Sequence, residues 1–336
     1  MSKDQHVALY RKYRPEVFSD VVGQEQLVTL LTSVIKQKKI GHAYLFCGSR
    51  GTGKTTVARI FAKDIGCNPE DIIEIDAASN RGIDEIRELR EAVRTAPFSS
   101  PYKVYIVDEA HMLTKEAANA LLKTLEEPPS HVIFILATTD PDKLPQTIVS
   151  RCQKIIFKQP DIKTLADRLV YVAGKENFDL PFEVAETIAQ HGKGSYRDAL
   201  GILEQTLTVS QKSVKLNDIK NQLGIPEEET LISLLRALCM KDTKAILDNI
   251  SILEKGGKNA LRTYDTFLEL LRTALLLRFD EGTVKNKIIK DIATEYPHTI
   301  GSKTILELLD KRHLLEVSDI HSWTAFSAIL LSLTEV

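Results

Sequence analysis

Residues 43–55 read Ala43-Tyr44-Leu45-Phe46-Cys47-Gly48-Ser49-Arg50-Gly51-Thr52-Gly53-Lys54-Thr55, an apolar run that opens into the pattern G-x-x-x-x-G-K-T. A helix-patterned stretch follows. The glycines let the backbone curl so that its N–H groups point inward at phosphates, and the helix that starts there adds its positive N-terminal end. In such a loop the lysine, here Lys54, reaches the β- and γ-phosphates as a point charge, and the hydroxyl of Thr55 is a magnesium ligand. The strand before and the helix after make this a nucleoside triphosphate site. Its expected lining is Gly48, Ser49, Arg50, Gly51, Thr52, Gly53, Lys54, Thr55 and Thr56.

On either side of this loop, from about residue 25 to 158, short β-rich runs alternate with amphipathic helical segments. Strands are expected at 43–47, 72–76, 103–107, 132–137 and 153–157. This is the rhythm of an α/β P-loop domain, a mostly parallel sheet covered on both faces. Val104-Tyr105-Ile106-Val107 ends in Asp108-Glu109, which carries two carboxylates to the sheet edge beside the phosphate loop. Asp108 is expected to hold the magnesium, directly or through water, and Glu109 to polarise the water that attacks the γ-phosphate. The continuation Ala110-His111 completes a D-E-A-H string that also occurs in certain helicases, and it does not suffice to assign unwinding.

From Pro160 onward the β-branched runs stop and helical spacing takes over. A turn at Gly192-Lys193-Gly194-Ser195 and a breaker at Gly224-Ile225-Pro226 punctuate it. The reading is three domains: 1–158 for nucleotide binding, 159–223 as a small helical domain and 224–336 as a larger all-α domain. In the last, Ala260 to Leu271 places apolar residues at three- and four-residue steps, a broad stripe that is mostly core packing.

Composition excludes several classes. The 336 residues carry 44 basic and 46 acidic side chains, a net charge of −2, so this protein does not coat nucleic acid or anionic membrane with its whole surface. Any DNA contact must be local. No apolar run approaches the roughly 20 residues that span a bilayer, and the polar start Met1-Ser2-Lys3-Asp4 is not a signal peptide. The expectation is a cytoplasmic protein with no membrane partner. Cys47, Cys67, Cys152 and Cys239 lie far apart without a C-x-x-C pair, so neither a disulfide frame nor a zinc knot is expected.

Several further motifs follow one another in a specific order. Tyr13-Arg14-Pro15-Glu16-Val17-Phe18-Ser19-Asp20-Val21-Val22-Gly23-Gln24 precedes the phosphate loop. Leu121-Leu122-Lys123-Thr124-Leu125-Glu126-Glu127-Pro128-Pro129, Ala137-Thr138-Thr139-Asp140-Pro141, Ser150-Arg151-Cys152 and Gly194-Ser195-Tyr196-Arg197-Asp198-Ala199 follow it. Together they resemble the gamma/tau family of bacterial DNA polymerase III subunits, the ATPases of the sliding-clamp loader in the AAA+ class. The resemblance runs along nearly all of the first two domains. It departs from many relatives at Cys67-Asn68-Pro69-Glu70-Asp71, where a four-cysteine zinc module is missing, so no structural zinc is expected. Ending at Val336, the chain resembles the family's shorter product.

The resemblance implies roles beyond those read from the residues. It places Arg14, Pro15 and Val22 in the adenine pocket, Thr139 as a first sensor of the γ-phosphate or attacking water, and Arg197 as a second sensor at the start of a lid helix. It makes Arg151 a finger into the neighbouring subunit's nucleotide, acting in trans, so that the catalytic set is Glu109, Lys54, Thr139, Arg151 and Arg197. ATP and Mg2+ are the implied cofactors. Implied partners are clamp-loader subunits of delta and delta-prime type in a five-membered ring joined by a collar, the sliding clamp, primer-template DNA and, indirectly, single-strand-binding protein, with a nucleoid-associated location. Arg81 and Lys115 are candidates for phosphate-backbone contact by helix starts lining the ring. DNA-directed DNA polymerase activity would belong only to the holoenzyme. Two other readings stay open: a AAA+ DNA motor of the branch-migration type, and an ATP-binding scaffold subunit without turnover.

Overall fold

Five short strands assemble into one sheet. In the computed structural model, which describes residues 7–79, 89, 91–209, 213–279, 287–316 and 321–334, the strands are β1 (Ala43–Cys47), β2 (Ile72–Asp76), β3 (Lys103–Asp108), β4 (Val132–Thr138) and β5 (Gln153–Ile156). Their order is β2-β3-β4-β1-β5, and every pairing is parallel. The central strands have side chains buried on both faces, which is why they read as continuous apolar runs rather than alternations. Alternate residues of β1, β3 and β4 feed two cores. Tyr44, Phe46, Ile106, Ile133 and Ile135 meet Leu31, Val57 and Phe61 on one face, whereas Leu45, Tyr105, Val107, Phe134 and Leu136 meet Ala118, Leu121 and Leu125 on the other.

The chain divides into two compact units, residues 1–215 and 216–336. The first contains the sheet, the helices that cover it, and three further helices, Ile162–Lys175, Phe182–His191 and Tyr196–Val209. Asp161 caps the first of these by accepting from Thr164 N at 2.6 Å. A short N-terminal helix, Leu9–Lys12, packs on Tyr196–Val209. It is tied there by Leu9 N donating to Glu204 at 3.2 Å, and next to it Arg168 donates to Tyr13 O at 2.8 Å. The N-terminal segment and the helices that follow the sheet therefore enclose the phosphate-loop end of β1 from two sides.

The second unit is helical among its described residues. Its core gathers Leu234, Leu238, Ile246, Tyr264, Phe267, Leu271, Ile292 and Phe326. The stripe on Ala260–Leu277 is the inward face of that helix, with Ala260, Tyr264, Phe267, Leu268 and Leu271 buried. Tyr264 satisfies its buried hydroxyl on Leu308 O at 2.8 Å. The helix Leu216–Gln222, which the sequence reading joins to the lid, lies in this second unit.

All four cysteines are free. Cys47, Cys67 and Cys239 are buried, and Cys152 is half-buried. Burial pushes the Cys67 thiol up to about 11 and those of Cys152 and Cys239 up to about 12, so they remain unreactive thiols at neutral pH. No helix among the described residues is long and apolar enough to cross a membrane.

Candidate nucleotide site

The phosphate loop sits where β1 ends. Gly53, at φ 100°, caps the N-terminus of the helix Lys54–Asp64, whose first turn carries no acidic residue. Nothing there competes with an incoming anion for the helix's free N–H groups. Gly51, at φ 74°, cannot carry a side chain: a Cβ would stand 2.0 Å from Ser195 Oγ. Its carbonyl accepts from Tyr196 N at 3.0 Å, which fastens the loop to the start of helix Tyr196–Val209. A second tie runs from Gln159 Nε2 to Ser49 Oγ at 3.0 Å.

Lys54 is only 5% exposed. Its ammonium donates to the carbonyls of Gly48 at 2.7 Å and Ser49 at 2.9 Å, so the loop's own backbone fixes its position. Burial pulls its pKa below the ordinary lysine value, while the charges of Glu109 and Asp108 act the other way. Thr55 Oγ1 donates to Asp108 Oδ2 at 2.7 Å, bringing two hard oxygen donors together. That donor pair suits Mg2+, which takes one or two protein oxygens and completes its shell with phosphates and water.

Glu109 follows Asp108 at the strand end with φ 48° and ψ 44°, a left-handed conformation that is costly for a residue with a side chain. Its carboxylate accepts from Thr139 Oγ1 at 3.1 Å, across from the end of β4. The strain is therefore located at the residue expected to polarise water.

These groups line one cavity of about 570 Å3. Of the residues read from the sequence, it collects Arg14, Pro15, Val22, Arg50, Gly51, Thr52, Gly53, Lys54, Thr55, Thr56, Asp108, Glu109 and Arg197. Gly48 and Ser49 contribute through their carbonyls to Lys54, and Thr139 through its bond to Glu109. Arg151 is not brought to this cavity: it donates to Glu126 at 2.6 Å and to Thr147 O at 2.8 Å on its own chain. Lys115 is exposed at the start of helix Lys115–Glu126, and Arg81 lies outside the described residues.

The cavity also holds residues that sequence reasoning did not single out, among them Tyr10, Arg11, Arg59, Arg168 and Leu200. The Arg197 guanidinium stacks over the Tyr10 ring, 5.0 Å from its centroid. Hydrogen bonding to Arg11, with Arg197 adding to it, holds the Tyr10 phenol below its ordinary value. Burial lowers the Arg14 pKa, and the like charges of Arg59, Arg11 and Arg197 add to that. Burial also pushes the Tyr196 phenol up to about 12, leaving it a neutral donor to Val22 O at 2.9 Å. No spacing signal marks the contacts of Tyr10 with Arg197, Arg168 with Tyr13 and Tyr196 with Val22, because each joins segments more than 150 residues apart.

A phosphate loop at the end of the parallel strand β1, two carboxylates at the end of β3 on the far side of β4, and a helical lid define an α/β domain of the AAA+ type. Solved structures of Thermotoga maritima RuvB share this fold. The RuvB Holliday junction branch migration motor aligns with a TM-score of 0.54 at 20% identity over 67% of this chain and 79% of that one. A family model described as "DNA polymerase III, delta subunit" matches residues 23–81 and 69–161.

DNA polymerase III subunit tau of Bacillus subtilis is 38% identical over 90% of this chain and 58% of its own length. Subunit tau of Escherichia coli is 39% identical over 92% and 54%. Subunit gamma of Buchnera aphidicola from Acyrthosiphon pisum is 36% identical over 79% and 78%. The chain belongs to the DNA polymerase III gamma/tau subunit family. It spans about half the length of the tau and gamma/tau relatives it matches.

Proposed function

We propose that this chain is an ATP-hydrolysing subunit of a bacterial sliding-clamp loader. The observation that carries the reading is the convergence of Lys54, Thr55, Asp108 and Glu109 on one cavity in a member of the gamma/tau family. Lys54 and the loop N–H groups hold the triphosphate, and Thr55 with Asp108 would hold Mg2+. When bound, that ion neutralises charge on the β- and γ-phosphates. Glu109 takes up a proton from the attacking water, Thr139 orients the Glu109 carboxylate, and Arg197 reaches the phosphates from the lid. Arg14, Pro15 and Val22 close the pocket at the base end.

Arg151 completes the site of a neighbouring subunit. An arginine supplied in this way contributes roughly 10³–10⁵ in rate, so turnover depends on assembly. Partners are delta- and delta-prime-type subunits in a five-membered ring, with residues 224–336 as collar. The substrates of the assembly are a sliding clamp and primer-template DNA, with Arg81 and Lys115 as backbone contacts, single-strand-binding protein as an indirect partner, and a cytoplasmic, nucleoid-associated location. ATP binding holds the clamp open, and hydrolysis on primed DNA releases it; DNA synthesis belongs to the holoenzyme.

The test is Glu109→Gln in the assembled loader. Turnover should be lost while ATP affinity stays within about twofold, since the change removes a general base worth roughly 10²–10⁴ but none of the phosphate-binding groups. Unchanged turnover would refute the assignment of this site as the ATPase centre.

A further inference from the structure

The two oxygens of the Glu109 carboxylate have different surroundings. Oε2 accepts from Thr139 Oγ1 at 3.1 Å and lies 3.5 Å from His111 Nδ1. For Oε1 no hydrogen-bond partner is found among the described residues, and Glu109 faces the nucleotide cavity. His111, two residues on in the short turn Ala110–Met112, is largely buried, with 11% of its side chain exposed. Its Nδ1 lies 3.0 Å from Thr138 Oγ1. Thr138 is fully buried at the end of β4, and its hydroxyl also accepts from Asp140 N at 3.0 Å.

A carboxylate beside Nδ1 favours the tautomer that carries its proton on that nitrogen. The N–H then donates to Thr138 Oγ1 and turns its positive end toward Oε2. Glu109 holds a left-handed backbone conformation, which persists only where the surrounding contacts over-determine it.

We infer that His111, anchored on Thr138, is a positioning residue for ATP hydrolysis: its ring stands beside Oε2 of Glu109, the oxygen that Thr139 hydrogen-bonds, and so holds the carboxylate with Oε1 as the oxygen that receives the proton of the attacking water. The inference rests on the ATPase reading above. In the step itself the water oxygen bonds to the γ-phosphorus as its proton passes to Oε1. The bond from that phosphorus to the bridging oxygen breaks, and ADP and phosphate leave. His111 exchanges no proton with substrate.

The experiment compares His111→Ala, His111→Asn, Thr138→Val and the His111→Ala/Thr138→Val double variant in the assembled loader, with Glu109→Gln as reference. Asparagine places a donor where Nδ1 stands. Misplacement of a catalytic group by about 1 Å costs roughly 10²-fold, so His111→Ala should lower kcat by about 10–100-fold with KM and Kd for ATP within about twofold. His111→Asn should recover most of that loss. The double variant should be no slower than His111→Ala alone, because the brace acts as one unit.

If His111→Ala fails to fold, Thr138→Val against Thr138→Ser carries the same comparison, with Ser expected to restore kcat. Unchanged kcat in His111→Ala, or a loss that Asn does not recover, overturns the inference. If Glu109→Gln also turns over normally, it is the ATPase reading that has failed; if Glu109→Gln is dead and His111→Ala is normal, only the brace is wrong.

Discussion

Replacing Gly51 with alanine attacks the contact between phosphate loop and lid helix without touching a phosphate-binding side chain. Gly51 sits at φ 74°, and a Cβ there would lie 2.0 Å from Ser195 Oγ, 2.9 Å from Ser195 Cβ and 3.3 Å from Ser195 Cα. The left-handed conformation costs alanine about 1–2 kcal/mol. Ser195 is 4% exposed and caps its helix by accepting from Asp198 N at 3.2 Å, so it has no free space to retreat into. Overpacking of this kind adds about 1–3 kcal/mol.

Gly51→Ala should therefore destabilise the first unit by roughly 2–5 kcal/mol, seen as a fall of about 5–15 °C in its melting transition. It should also weaken ATP binding, because the Tyr196 N to Gly51 O bond cannot persist at its present length. Differential scanning calorimetry and nucleotide titration measure both effects. The double variant Gly51→Ala/Ser195→Gly separates the causes. Losing the serine as a cap to glycine costs only a few tenths of a kcal/mol, while the steric share of the damage disappears, so the double variant should melt above Gly51→Ala. A Gly51→Ala protein with unchanged melting and ATP affinity, or a double variant with no recovery, would refute the reasoning.

Two further outcomes follow from particular contacts. Arg151→Ala removes a surface pair with Glu126, whose side chains are 35% and 48% exposed, and such pairs contribute about 0–1 kcal/mol. Melting of the isolated chain should hardly move, while turnover of the assembled loader should fall by about 10³ or more; equal, small effects on both would remove the finger assignment. Asp71 is buried, and although burial works to raise its pKa, hydrogen bonds from Phe98, Ser99 and Ser100 N–H groups hold it below the ordinary carboxylate value. Because the folded value is the lower one, the stability from Asp71 is present above its unfolded pKa of about 3.9 and is lost as pH falls through the folded value. Asp71→Asn should destabilise by about 1–3 kcal/mol at pH 7, and the gap to wild type, followed by urea unfolding, should narrow toward pH 3.

The sheet is legible in the sequence because buried parallel strands leave continuous apolar runs, as in Tyr44-Leu45-Phe46 and Val132-Ile133-Phe134-Ile135-Leu136. The phosphate loop is legible because its chemistry is local: glycines, lysine and threonine act within eight residues of one another. What sequence reading did not reach depends on segments far apart in the chain. Tyr10 meets Arg197, Ser195 fills the space beside Gly51, and His111 meets Thr138, none with a periodic pattern to announce it. The left-handed turn at Glu109 is likewise set by tertiary contacts, since glutamate has no intrinsic preference for it. The helix Leu216–Gln222 shows the same limit at domain scale: the visible breaker is Gly224-Ile225-Pro226, but the division between compact units falls before that helix.

In the proposed function, this site couples ATP hydrolysis to loading a clamp on primed DNA. The most direct measurement is steady-state ATP turnover by the chain assembled with delta- and delta-prime-type subunits, with and without sliding clamp and primer-template DNA. Strong stimulation that requires both clamp and primed DNA and vanishes in Arg151→Ala is the expected result. A rate indifferent to clamp and primer but raised by long duplex or branched DNA would contradict it and make a translocating motor the better description.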